Sequence, residues 1–266
     1  MTALVPRRDY LVGQRRTIIA RAVLGSLAGA VPVPFVDDWA ITRIVGGGYR
    51  RIAASHQVDL TPEATTNLVH GTTPPPSLVD MAAGSIVLRI ASRAARRMMF
   101  ALATVNRARS ASKTFMYMTL FDHYCAKLHT GLALDGPTAL ELRDEIGRAI
   151  AQTPGALALH PFRRGVLSAA RATLKAPLEL ADIASRGGLR RLLAKRSEVT
   201  EGEHVDETEQ AIESALAEKT NFLARTVAAI EVQLSSEVNP YLDATIEALD
   251  RRWRARLAAK ADPGSG

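Results

Sequence analysis

Asp122, Cys125 and His129 stand three and four residues apart, with His123 between them. On a helix that spacing puts the three side chains on one face. A carboxylate, a thiol and an imidazole grouped in this way are the parts of a metal site or of an activated cysteine nucleophile. A plainer reading competes. The surrounding run F-M-Y-M-T-L-F-D-H-Y-C-A-K-L-H (115–129) is rich in aromatics and sulfur, as a core helix is, and a single cysteine commonly behaves as a small buried hydrophobe. The spacing fits no zinc-ligand pattern. The expectation is a core helix, with no catalytic residue, cofactor or metal assigned.

No other catalytic signature is present: no P-loop, no G-x-G-x-x-G after a strand and no G-x-S-x-G. Gly46 to Gly48 follow no strand, so they read as the end of a helix or a flexible element rather than a phosphate cradle.

Residues 17–60 organise the chain. A small-residue apolar segment runs from Thr17 towards Ala30 and meets Pro32 and Pro34. Each proline removes a backbone donor and disfavours helix in the residue before it, so the helix stops there and the chain turns. Asp37 is placed to cap a second helix, because a carboxylate suits the positive helix end. Ile41, Ile44, Val45 and Ile52 mark that helix's apolar face. The product is a hydrophobic hairpin with a Pro-x-Pro elbow at Pro32, Pro34, Phe35 and Asp37. The uncharged run from Ala22 to Val36 falls short of the roughly 20 apolar residues that a membrane-spanning helix needs.

The elbow A-V-P-V-P-F-V-D resembles the turn of the EcsC-like proteins and of the helical membrane-associated tail domains of some bacterial GTPase-like proteins. There a P-x-P-G-x-D turn joins two hydrophobic helices. Phe35 stands here where glycine is usual. The resemblance covers residues 17–60 and implies an all-helical, membrane-proximal protein without known catalytic residues. A buried hairpin in a soluble bundle is the other reading.

Composition agrees with helix. Hydrophobic residues make up 47% of the 266 and aromatics only 5%, so the apolar content is mostly Ala and Leu. The single cysteine excludes an internal disulfide and fits a reducing cytoplasm, and the first residues do not read as a signal peptide. A net charge of +7 favours an anionic partner. The charge is uneven: residues 201–266 hold 7 cationic and 13 acidic side chains, a net of −6, which leaves +13 on residues 1–200.

The most basic helical stretch is 79–113. No acid occurs from Met81 to Phe121, while Arg89, Arg93, Arg96, Arg97, Arg107, Arg109 and Lys113 supply seven positive charges. A basic amphipathic helix is a signal for a membrane surface or nucleic acid. Against this stands a bundle helix whose arginines pair with the acidic C-terminal part. Residues 160–197 add nine Lys/Arg against Glu179 and Asp182. Further helix starts fall at Thr61-Pro62 and after Leu134-Asp135-Gly136-Pro137, and Pro240 separates two C-terminal amphipathic helices.

The expected protein is therefore an all-α multi-helix bundle with a hydrophobic Pro-x-Pro hairpin and a C-terminal amphipathic helix pair. It divides into a basic helical domain (1–200) and an acidic helical segment with a disordered tail (201–266). The expected function is non-enzymatic: peripheral binding to the anionic inner face of the membrane from the cytoplasm, through the hairpin and the basic helix. The alternative is a helical scaffold whose C-terminal helices bind a protein partner or a second copy, and nucleic-acid binding ranks below both.

Overall fold

The computed structural model describes residues 8–28, 36–72, 93–157, 162, 210, 212–214, 216–217, 222–236 and 240–261. The fold is all-α. A 3-10 turn at Asp9–Leu11 leads into α1 (Val12–Ala28), and α2 spans Val36–Ser55. Then come α3 (Pro62–His70), the 35-residue α4 (Arg93–Lys127), α5 (Gly136–Gln152), α6 (Phe222–Ser236) and α7 (Pro240–Ala261). Asp59–Leu60 and Ala133–Leu134 form a two-residue parallel pairing, β1 and β2, which ties the loops after α2 and α4 together.

Local chemistry sets the described helix ends. The Thr61 hydroxyl accepts from the Ala64 amide at 3.1 Å, and Pro62 occupies the first turn of α3. Asp135 Oδ1 accepts from the Thr138 amide at 2.9 Å at the start of α5. At the end of α2 the Val58 amide reaches the Ala53 carbonyl and the Gln57 amide reaches Ala54, with Gln57 in the left-handed region at φ 58°. This is a Schellman cap with glutamine where glycine is favoured.

Around α4 pack α1, α2, α5, α7 and the 3-10 turn, and α6 lies on α1. α1 is buried on every side from Ile18 to Leu24, including Arg21, whose guanidinium donates to the Ile44 carbonyl of α2 at 2.6 Å. A helix apolar all round belongs in a protein interior. Tyr49 of α2 meets Phe121 of α4 edge-on at 5.1 Å, and Trp253 of α7 meets Tyr124 of α4 at 5.0 Å.

Two sequence expectations change here. The Gly46–Gly48 run neither ends α2 nor loosens it, but lies inside the helix. A side chain at Gly48 would collide with Met118 of α4 and the stem of Arg21, both fully buried, and one at Gly46 would press on Thr65 of α3 at 3.1 Å. Close helix approach outweighs the low helix propensity of glycine. α2 is described from Val36, so Asp37 lies within the helix rather than at its cap. Pro32, Pro34 and Phe35 lie outside the described residues, as do the 160–197 stretch apart from Phe162 and the chain end after Ala261. Among the described residues, no helix is long and apolar enough to cross a membrane.

Two substitutions should move stability in opposite directions. Gly48→Ala overpacks the α1–α2–α4 crossing and should cost about 1–3 kcal/mol in urea unfolding. Gln57→Gly should gain roughly 0.5 kcal/mol, because release of about 1 kcal/mol of left-handed strain exceeds the entropic cost of glycine.

Candidate functional site

Asp122 and Cys125 lie on α4, but His129 falls two residues beyond its end at Lys127, so the three do not share one helical face, and each meets different neighbours. Asp122 is fully buried, and its Oδ1 accepts from His56 Nε2 at 2.6 Å; its Oδ2 has no hydrogen-bond partner among the described residues. His129 Nδ1 lies 3.2 Å from the Tyr124 hydroxyl. Cys125 is buried, and burial, with the Asp122 charge adding to it, pushes its thiol far above the ordinary range. A thiol held protonated is a poor nucleophile. No group of three His, Cys, Asp or Glu side chains able to hold a metal ion occurs among the described residues.

The polar cluster that α4 does build comes from residues far apart in sequence. His123 lies between two elements. The Tyr10 hydroxyl is 2.6 Å from its Nδ1, and Asp250 Oδ1 of α7 is 2.6 Å from its Nε2. The consistent assignment has Tyr10 donating to Nδ1 and Nε2–H donating to Asp250, so the ring is neutral. Beside it Arg8 Nε donates to Asp243 Oδ1 at 2.6 Å, and Lys127 sits 5.1 Å over the Tyr10 ring. Burial pushes the His123 imidazole below its ordinary value, with Asp250 opposing and Arg8 adding to the shift. Burial pushes Asp122 up, and its hydrogen bond with His56 holds it back. His123 was visible in the sequence as a neighbour of Asp122. Tyr10, His56 and Asp250 carried no signal, because only the fold brings them to α4.

The acidic C-terminal part is committed elsewhere. Three of its described carboxylates pair with the N-terminal half: Asp243 with Arg8, Glu231 with Arg16 at 3.5 Å, and Glu213 with Arg51. Three cations of α7 turn to α5, Arg252 to Glu145 at 2.6 Å, and Arg256 and Lys260 to Glu141 at 2.5 and 2.7 Å. Arg109 and Lys113 are exposed on one stripe of α4, and among the described residues neither meets a carboxylate. Lys113 instead lies 5.5 Å from the Tyr117 ring. Arg93, Arg96, Arg97 and Arg107 follow the α4 backbone, and Arg89 lies outside the described residues.

Contacts between helices fix their directions. Tyr10 meets His123, while Arg21 lies with Met118 against Gly48, so α1 runs antiparallel to α4. Tyr49 meets Phe121 and His56 meets Asp122, so α2 runs parallel to it. The end of the bundle where α1 gives way to α2 is therefore the end from which α4 comes. At 1.5 Å per residue α4 extends about 37 Å from Met118 back to Arg93, whereas α1 extends about 11 Å from Arg21 to Ala28. The end of α1, the start of α2 and the basic half of α4 lie towards one end, and the His123 cluster lies towards the other.

Replacing Asp122 by Asn should isolate its titration. A carboxyl whose folded pKa is raised contributes stability that is fully present below its unfolded value and is lost as pH rises through the folded value. The stability of the wild type relative to Asp122→Asn should therefore fall as pH rises from 4 to 7.5, in urea melts that cancel every other group. A difference that grows with pH would contradict the burial-driven shift.

No protein-family model, no curated protein and no solved structure matches this chain.

Proposed function

We propose that this chain is a non-enzymatic helical protein that binds an anionic membrane surface peripherally, with the elbow end of its bundle towards the lipid. The observation that carries the reading is positional. The helix ends at Ala28 and Val36, which flank the elbow in sequence, and the basic half of α4 are separated by more than 50 residues, yet they lie towards one end of the bundle. Arg109 and Lys113 stand exposed on the same helix without a carboxylate among the described residues, while Asp243, Glu231 and Glu213 of the C-terminal part neutralise cations elsewhere. Unneutralised basic charge beside an apolar turn is the pattern of a surface that attracts anionic head groups and adds a shallow apolar contact.

The resemblance to EcsC-like elbows, carried by Pro32, Pro34 and Asp37, fits this orientation. The arms of the hairpin supply core side chains, which leaves V-P-V-P-F (31–35) as its apolar contribution to the interface. Inner-face, cytoplasmic residence follows from the same charge logic, since that leaflet carries the anionic lipid. The scaffold reading draws less support. Ile246, Leu249 and Trp253 of α7, and Leu223, Val227 and Ile230 of α6, are buried on the chain's own bundle.

Liposome flotation tests the proposal. The protein should float with anionic and not with neutral vesicles, and high salt should release most of it. The Arg109→Gln/Lys113→Gln pair, both at exposed positions, removes two charges worth about 1 kcal/mol each near a charged surface, so affinity should fall about thirtyfold. Extending the change to Arg89, Arg93, Arg96 and Arg97 should abolish flotation. Protein that stays at the bottom under every condition would end the membrane reading.

A further inference from the structure

The polar cluster at the end of the bundle opposite the elbow has a use that membrane binding does not require. Three elements meet at His123: the N-terminal turn through Tyr10, α7 through Asp250, and α4 itself. The neutral ring satisfies both partners in one proton arrangement, with Nδ1 accepting and Nε2–H donating. A second proton reverses Nδ1 from acceptor to donor. The Tyr10 hydroxyl then loses its acceptor, and a full charge enters a site that is 4% exposed.

We infer that the Tyr10–His123–Asp250 junction is a proton-operated joint, in which protonation of His123 loosens the N-terminal turn and α7 from α4. The groups facing the ring oppose one another. From the N-terminal turn come Arg8, held by Asp243, and Tyr10, beneath Lys127. From α7 comes Asp250, and from α4 comes Asp122, with His56 of α2 behind it. Asp250 and Asp122 favour the imidazolium, Arg8 and burial oppose it, and burial is the largest influence. The folded value therefore lies below the ordinary 6.5, so the junction's contribution to stability is present above that value and is lost as pH falls. Asp122 titrates with the opposite sign and acts on the α2 contact, which separates the two effects in space.

Amide hydrogen exchange, followed peptide by peptide from pH 7.5 to 5 and corrected for intrinsic rates, reads the joint directly. Protection over residues 8–11 and 240–253 should fall below pH 6.5 by up to tenfold per pH unit, the limit for one proton. Peptides of α2 and α3 should not follow. In His123→Gln, which keeps a donor towards Asp250 but does not titrate, the slope should vanish. A wild type without the slope, or a variant that retains it, would overturn the inference. Should His123→Gln lose its helicity at pH 7.5, proton NMR of the wild type decides. His123 should titrate below 6.5, with the Tyr10 ring signals moving at the same midpoint. A midpoint at or above 6.5, or an unmoved Tyr10, would equally overturn it.

Discussion

The bundle depends on one close crossing, where Gly48 brings α2 against Met118 of α4 and the stem of Arg21 of α1. With no side chain at that point, the end of Met118 and the stem of Arg21 lie against α2, and the fully buried arginine reaches the Ile44 carbonyl. The other contacts follow from the register so set. Above and below the crossing the same three helices place Gly25 against Val45 and Tyr49 against Phe121. A burial pattern this continuous makes α1 an interior helix, although it comes early in the chain and reads in sequence like a segment in search of lipid. Close packing of this kind tolerates added volume badly, since a protein interior is as dense as an organic crystal.

Charge is allotted with the same economy. A chain that is basic over its first 200 residues and acidic after them invites the thought that one half neutralises the other. In part it does: Arg8, Arg16 and Arg51 find acids from the C-terminal part, and α7 returns cations to Glu141 and Glu145 of α5. Exposed pairs of this sort are worth little each, on the order of 0–1 kcal/mol, so their importance is in what they leave over. Arg109 and Lys113 stand on a stretch without a single acid from residue 81 to 121, and Asp243, Glu231 and Glu213 lie with other partners.

Much of the fold was legible in the sequence, and the reasons are local. Thr61-Pro62 and Asp135-Gly136-Pro137 announce helix starts because the capping chemistry needs only three or four consecutive residues. The aromatic and methionine run at 115–129 reads as core because its burial follows from composition, and Phe115, Met118 and Phe121 are indeed buried. Gly46–Gly48 misleads for an equally physical reason. Propensity alone says that glycines end helices, but their value here is contact with α3 and α4, which no local rule can see. The Asp122, Cys125 and His129 grouping assumed a helical period that stops short of it, because α4 ends at Lys127 and leaves His129 beyond the helix. The three residues also lack common neighbours: His56 takes the carboxylate, Tyr124 takes the imidazole, and burial silences the thiol. The His123 junction was hidden because its partners lie 113 and 127 residues away.

Core residence and lipid insertion compete for the same hairpin, and magnitudes favour the core. Moving α1 into a bilayer would exchange protein contacts of Ile18, Ile19, Val23 and Leu24 for lipid contacts of similar apolarity, with little gain in hydrophobic free energy. It would also carry Arg21 into hydrocarbon, at a cost of about 2.5–3.5 kcal/mol on insertion scales, and would strip the guanidinium of the Ile44 carbonyl. The surfaces of α2 and α4 left behind would face water, losing roughly 1.5–3 kcal/mol for each large apolar side chain uncovered. The elbow carries none of these penalties, because V-P-V-P-F holds no charge and its prolines already lack amide donors that lipid would leave unsatisfied. On the proposed membrane reading, the contact would therefore be one of the elbow and of arginine side chains, with the helices of the hairpin remaining in the bundle.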